Sequence, residues 1–188
     1  MAPTAPDWAD LAVEQLHWHW EAQLRPRLDG LTDDEYFWEP VPGCANLRVD
    51  GERVVRDPIP PGADPPPVTT IAVRLAHIAV DNFLLRTNHH VGDRSVRVDD
   101  VRWPATAGAA LALLDEAYAG WHAAVSGLDE EALARQSVGP PDTLDAEFPF
   151  AAVILHVNRE VIHHGAEVAL LRDLYRASGG APVSVVGR

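Results

Sequence analysis

The sequence contains no lysine and only one cysteine. Cys44 alone cannot build an internal disulfide framework or a cysteine-rich zinc site. All fifteen basic residues are arginine, against twenty-eight acidic ones, so the formal net charge is −13. Such a surface repels phosphate backbones and anionic lipid headgroups. We therefore expect neither a nucleic acid nor a membrane as a partner.

Long apolar runs are also missing, and none could cross a bilayer. The N-terminal "MAPTAPDWAD" lacks the basic and apolar regions of a secretory signal. We therefore expect a cytoplasmic protein. The 188 residues, 47% of them hydrophobic, suffice for one domain with its own core. The prediction is a single domain spanning residues 1–188.

Four segments have the hydrophobic periodicity and the end signals of helices. The predicted helices are Trp8 to Leu28, Thr69 to His90, Thr106 to Leu128 and Phe150 to Ala177. Connections rich in proline and glycine separate them, and "VDGERVV" within the first long connection has the pattern of a short hairpin. The fold class predicted is all-α, a four-helix bundle with long irregular connecting loops.

The fourth predicted helix contains an unusual group of ionisable side chains, in "LHVNREVIHHGAEVALLRDLY". An ideal helix turns by roughly 100° per residue, so spacing determines which side chains share a face. Five ionisable groups fall within one arc of about 100°. They are His156, Glu160, His163, His164 and Glu167.

Leu171 and Leu174 lie in the same arc, and Leu170 lies about 20° beyond its edge. Three arginines fall outside it: Arg159, Arg172 and Arg176. A leucine stripe ordinarily marks the buried face of a helix. We therefore predict that the ionisable groups lie on the buried side, or at the mouth of a cavity there. Burying several such groups is costly unless they pair or bind a metal.

A metal site explains this pattern. Glu160 and His164 are four residues apart, so their side chains emerge next to each other and can bind a divalent ion. A further ligand must come from another helix. His77 lies on the apolar stripe of the second helix and is the natural candidate. Asp81, one turn on, is either a further ligand or an acceptor for an imidazole N–H.

Spacing alone leaves alternatives to this ligand set. His156 and Glu160 are also four residues apart, and His163 adjoins His164. A histidine on an apolar stripe is often an ordinary core residue, and a Glu–His pair one turn apart can be a simple hydrogen bond. The residues left over are predicted to hold ligands in place or to carry protons: Glu167, His163, His156 and Asp81.

These motifs resemble the DinB/YfiT-like superfamily of metal-binding four-helix bundles. The resemblance covers nearly the whole chain and rests on "LTDDEYFWEPVPG", "TTIAVRLAHIAVDNFLLR" and "HVNREVIHHGAEVALLRDLY". It implies an up-down-down-up bundle that forms a homodimer. It also implies zinc or nickel held by His77, Glu160 and His164. Many members have histidine at the position of Glu160, and other branches have glutamate.

The resemblance also implies a class of activity. Relatives include the N-terminal domains of mycothiol-dependent maleylpyruvate isomerase, and bacillithiol or mycothiol S-transferases. The implied enzyme uses a low-molecular-weight thiol such as mycothiol, which loses its proton at the metal and attacks a small electrophilic substrate. A hydrolase that activates water is a close variant. The alternative is a non-catalytic metal-binding protein that acts in stress or ligand binding.

Overall fold

The computed structural model describes residues 7–51, 53–60, 62–137 and 147–182. Within these ranges the chain is mostly helical and has one two-stranded sheet, which agrees with the predicted all-α class. None of the helices there is both long and apolar enough to span a bilayer.

The first helical segment covers residues 8–27. Helix α1 (Trp8–His19) begins at Asp7, whose carboxylate accepts hydrogen bonds from two backbone N–H groups of the first turn. A π-helical turn, Trp20–Leu24, then leads into α2 (Arg25–Arg27). The short helix α3 (Asp33–Tyr36) follows and places Glu35 in the core.

The predicted hairpin is present. Strand β1 (Leu47–Asp50) pairs antiparallel with β2 (Arg53–Arg56), and Leu47 lies opposite Arg56. Leu47 is buried, which anchors the hairpin on the core. Because β2 ends beside the second helical segment, the guanidinium of Arg56 reaches that segment.

The second helical segment covers residues 71–90. Helix α4 (Ile71–Ala76) is capped by Thr70, one of the two predicted caps. The segment continues as a π-helical stretch, His77–Leu84, and ends as α5 (Leu85–His90). π-Helical turns are rare and are often found at functional sites. A short 3₁₀ helix, Val98–Asp100, follows in the next connection.

The third and fourth helices match their predicted ranges closely. Helix α6 (Ala107–Val125) is capped by Thr106, and the short α7 (Glu130–Ala134) comes after it. Helix α8 (Phe150–Ser178) ends at Gly179, which has the left-handed φ of 62° typical of a helix terminus. The loop predicted at 139–149 lies largely outside the described residues.

The four long helical segments enclose the core. α1 packs on α6 and α8, and the second segment also packs on α6 and α8, so each segment contacts two others. Large buried side chains fill the space between them: Trp20, Phe83, Leu114, Trp121, Phe150 and Val161. This packing places α8 directly beside the second segment. The up-down-down-up order stays a prediction.

Candidate metal centre

The three predicted ligands come from two helical segments that pack together. His77 begins the π-helical stretch of the second segment, while Glu160 and His164 lie one turn apart on α8. The Nε2 atom of His77 is 3.5 Å from Oε2 of Glu160, and Nε2 of His164 is 3.2 Å from the same oxygen. The donor atoms of all three residues lie within 4.8 Å of one another.

These distances suit a divalent ion. Metal–ligand bonds of roughly 2.0–2.2 Å in a tetrahedron place neighbouring donor atoms about 3.3 to 3.6 Å apart. The observed separations of 3.2 and 3.5 Å are close to that range. Two imidazole nitrogens and one carboxylate oxygen are a common donor set for catalytic zinc, and three protein ligands leave a fourth position open. The residues present therefore fit such an ion.

Asp81 lies on the opposite side of the His77 ring from Glu160. Its Oδ2 atom is 2.9 Å from Nδ1 of His77, and it also accepts a hydrogen bond of 2.8 Å from Nη1 of Arg56. Although burial raises the pKa of Asp81, the bonds from His77 and Arg56 lower it below the usual value. An ionised Asp81 therefore accepts the Nδ1–H proton of His77 and leaves its Nε2 lone pair directed at Glu160.

His164 has the same arrangement. Its Nδ1 atom is 2.6 Å from Oε2 of Glu167, and that oxygen is 2.7 Å from Nε of Arg74. Carboxylates that hold the far nitrogen of a histidine are a general feature of metal sites, because they set the tautomer and orient the ring. Two arginine–carboxylate–histidine chains thus converge on Glu160 from different segments.

Hydrogen bonding suits the centre to a cation. If both Nδ1 atoms donate to carboxylates, the two Nε2 lone pairs and the carboxylate of Glu160 all face one another as acceptors. Burial lowers the pKa of His164, which favours the neutral ring. Burial raises the pKa of Glu160, but His156, His77 and His164 bring it below the usual value. In this tautomer the three acceptors are suited to a shared cation, whereas in the other tautomer Nε2 of His164 donates to Glu160 at 3.2 Å.

The alternative ligands fit this centre less well. Nδ1 of His156 is 3.8 Å from Oε1 of Glu160 and contacts Nη2 of Arg159 at 2.5 Å. The side chain of His163 is 65% exposed. His163, His164 and Glu167 also form a group of neighbouring donors. However, the 2.6 Å between His164 and Glu167 is a hydrogen-bond distance, too short for two ligands of one ion.

The leucine stripe predicted as the buried face of the fourth helix is wrong for two of its three leucines. Leu170 is 59% exposed and Leu174 is 37% exposed, whereas the half-buried Leu171 packs against the core. The buried face is a series of valines with helical spacing: Val153, Val157, Val161 and Val168. The ionisable groups lie along the edge of that face, and His164 is the most buried of them.

A second error concerns Arg172, which sequence reasoning placed away from the buried side. It is only 1% exposed and forms an ion pair with the equally buried Glu35. No local pattern indicates this pair, because Glu35 comes from α3, far away in the chain.

Sequence reasoning also missed Arg56 and Arg74. These arginines bind Asp81 and Glu167, the carboxylates that contact the Nδ1 atoms of the two histidine ligands. Each comes from an element distant in sequence from its partner, 25 residues for Arg56 and Asp81 and 93 for Arg74 and Glu167. No spacing rule could have paired them.

Comparison with known proteins gives one result. A family model described as the DinB superfamily matches residues 15–168, which is most of the chain. The matched range contains all three candidate ligands and the residues that surround them. No curated protein and no solved structure gave a significant match.

Proposed function

Because the chain belongs to the DinB superfamily, we propose that it is a metal-dependent enzyme whose His77, Glu160 and His164 hold zinc or nickel. The observation that carries the proposal is the meeting of two imidazole Nε2 atoms and one carboxylate oxygen, all within 4.8 Å of one another. When bound, the ion supplies a Lewis acid that lowers the pKa of a thiol or water in its remaining position. The proposal includes a single domain, the up-down-down-up bundle, a homodimer and a cytoplasmic location.

The surrounding residues prepare the ligands. Asp81 and Glu167 hold the Nδ1 protons of His77 and His164, so both Nε2 lone pairs are available for an ion. The guanidinium groups of Arg56 and Arg74 hold these carboxylates in place. A site so prepared loses little entropy when the ion binds, because its ligands are already oriented.

We assign the transfer of protons to two histidines at the edge of the centre. Burial lowers the pKa of His156, so its ring is neutral near pH 7 and can accept a proton. The exposed His163, whose Nε2 is 3.6 Å from Oε1 of Glu167, can exchange protons with solvent. A thiol such as mycothiol would give its proton to His156. Its sulfur would then add to an electrophilic carbon of a carbon–carbon double bond in the substrate, and the displaced π electron pair would take up the proton from His156. An S-transferase would release this adduct, and an isomerase would expel the thiol again after rotation about the new single bond.

Cys44 is not an alternative nucleophile. It is buried, its Sγ donates a hydrogen bond of 2.9 Å to the backbone oxygen of Val41, and burial raises the pKa of its thiol. The proposed nucleophile is therefore a small-molecule thiol, with water as the variant.

Metal content tests the ligand assignment. We expect about one equivalent of metal per chain in the wild type, none in His164→Ala and an unchanged content in His163→Ala. The second variant is a matched control because His163 is the adjacent histidine on the same helix. Equal metal content in His164→Ala and the wild type, measured by elemental analysis, would refute the site.

A second experiment separates the enzyme from the non-catalytic alternative. Protein with Cys44→Ser, loaded with cobalt, is titrated with a low-molecular-weight thiol while its ultraviolet absorption is recorded. A sulfur-to-cobalt charge-transfer band shows that a thiol reaches the open position, as the enzyme requires. Bound cobalt that gives no such band with any thiol would instead support a saturated, structural ion.

A further inference from the structure

A cavity of 540 Å³ lies beside the metal centre, between the second helical segment and the 3₁₀ helix Val98–Asp100. It shares Asp81 with the centre and is lined by three arginines, Arg86, Arg94 and Arg97. Three positive charges in one cavity are unusual in a chain of net charge −13. The charge of Asp81 is already balanced by Arg56. Asp99 also lines the cavity, so its three arginines outnumber the one remaining carboxylate.

The backbone holds Arg94 in an uncommon conformation. Arg94 is the one non-glycine residue of the described ranges with a left-handed φ, 63°. Its backbone N–H donates to the oxygen of Asn88, and its side-chain Nε donates to the oxygen of His89, both at 3.2 Å. Strained residues of this kind persist where the surrounding structure fixes them, commonly at binding sites.

The turn that carries Arg94 is cross-linked by hydrogen bonds. Asn88 accepts from the backbone N–H of Val96 at 3.0 Å and donates to Asp93 at 3.0 Å. Asp93 also accepts from the backbone N–H of Ser95 at 3.0 Å. A Cβ atom at Gly92 would come within 2.9 Å of the backbone oxygen of Asn88, so the turn closes tightly only with glycine there. Arg94 is therefore positioned before any ligand arrives.

The cavity offers donors that have no protein acceptor. Within the described residues, the side chain of Arg97 makes no hydrogen bond or ion pair, and the terminal nitrogens of Arg94 make none either. A guanidinium presents several N–H groups in a planar fork that matches a carboxylate or a phosphate. The groups that would complete these hydrogen bonds are therefore carboxylates or phosphates.

We propose that this cavity binds the anionic group, a carboxylate or a phosphate, of the small-molecule substrate, and that Arg94 and Arg97 are its ligands. The proposal rests on the function proposed above, since it defines the substrate class of the same site. Arg86 lines the cavity and also acts on the metal centre, because its charge interacts with both Glu160 and Asp81. The cavity and the metal centre are therefore linked through the charge of Arg86 and through Asp81.

Calorimetry with metal-free protein tests the cavity. The probes are malonate and inorganic phosphate, with neutral malonamide as the control ligand. We expect an anion to bind in the millimolar range, more weakly as salt is added, and malonamide to give no signal. The anion that binds more tightly shows whether the cavity prefers a carboxylate or a phosphate. Failure of both anions to bind, or equal binding of malonamide, would overturn the proposal.

Variants locate the binding. Arg94→Gln and Arg97→Gln should each weaken anion binding by about tenfold, the loss expected for one charge-assisted hydrogen bond. Gly92→Ala should weaken it too, because it displaces Arg94 without removing it. Arg176→Gln, at an exposed arginine of α8, should leave it unchanged. Equal affinity in all four variants would place the anion elsewhere.

The two proposals fail separately. Metal-loaded protein that binds neither anion would refute the cavity and leave the metal centre intact. A protein that takes up no metal in elemental analysis but binds an anion would refute the metal centre, while the assignment of Arg94 and Arg97 would stand.

Discussion

Helix α8 contributes to two charged clusters that balance their charges in different ways. Arg172 donates to both carboxylate oxygens of Glu35, at 2.7 and 3.1 Å, and to the backbone oxygens of Arg27 and Asp29. This cluster provides an acceptor for each of the three guanidinium nitrogens. The metal centre, two turns earlier, brings together two imidazole nitrogens and one carboxylate oxygen that can share a cation.

The difference shows that burial alone does not indicate function. Arg172 is more deeply buried than any residue of the metal centre, and its partners are all within the protein. A cluster complete in itself stabilises the fold and has no capacity for a ligand. A cluster that lacks a cation is stable only when one is supplied, and such sites bind metals or protons.

The largest expected effect is on the cluster of Arg172 and Glu35. Arg172→Met leaves the carboxylate of Glu35 buried without its partner and should lower the free energy of unfolding by about 3–5 kcal/mol. Arg176→Met, an exposed control on the same helix, should change it by less than about 0.5 kcal/mol. Urea denaturation measures both, and adding Glu35→Leu to Arg172→Met should restore much of the loss. Equal stability of the two single variants would contradict this account.

Metal removal should lower the stability of the protein only through the metal centre. An ion that binds the folded chain stabilises it by about 2.7 kcal/mol when its free concentration is 100 times the Kd. A chelator should abolish this gain in the wild type, and His164→Ala should show no gain at all. Arg172→Met should still gain stability from metal, because its cluster is separate. Thermal denaturation with and without metal provides the measurement, and a metal response in His164→Ala would contradict it.

The carboxylates that contact Nδ1 of His77 and His164 should affect metal affinity less than the ligands themselves do. Asp81→Asn removes the charge that holds Nδ1–H of His77 and should weaken metal binding by roughly 10- to 100-fold. Asp173→Asn is the control, since Asp173 lies on α8 in an exposed ion pair with Arg27. Competition with a chromogenic chelator gives both affinities. An unchanged affinity in Asp81→Asn would show that this carboxylate does not support the ion.

The smallest effect concerns a single proton. Burial, with further contributions from His89, Arg86, Arg135 and Arg94, lowers the pKa of His90 to about 4. The unfolded chain binds this proton at the ordinary value of 6.5, so stability should fall as the pH drops from 6.5 to about 4, by at most about 1.4 kcal/mol per pH unit.

His90→Gln should reduce that slope, as measured by urea denaturation at several pH values. His90 is a useful contrast to Arg172, because burial at His90 favours the neutral form of the ring, whereas Arg172 is buried in an ion pair with Glu35. A slope identical to that of the wild type would assign the pH dependence to other groups.

Much of the secondary structure could be predicted because its causes are local. Thr70 and Thr106 cap their helices through hydrogen bonds to residues three positions on, and Gly179 ends α8 by its own conformation. The π-helical turns were not predicted. They depend on how the first two helical segments pack rather than on any signal within Trp20–Leu24 or His77–Leu84.

The candidate site was predicted in part, and not always for the right reason. The leucines Leu170 and Leu174 suggested that the ionisable groups lie on the buried side of the helix or at the mouth of a cavity there, yet both leucines face solvent. Hydrophobicity alone misled there, because an exposed leucine on a long helix is common. Val157 and Val161 mark the true buried face and place Glu160 at its edge.

The sequence by itself determined the helices and the neighbourhood of Glu160 and His164, because helix geometry brings residues four apart together in any surroundings. It also determined the negative surface and the absence of a cysteine-based site. Only the tertiary structure decided that His77 faces Glu160, that Arg56 and Arg74 hold Asp81 and Glu167, and that Arg172 is buried. Those contacts join segments far apart in the chain, and their distances depend on how whole helices pack.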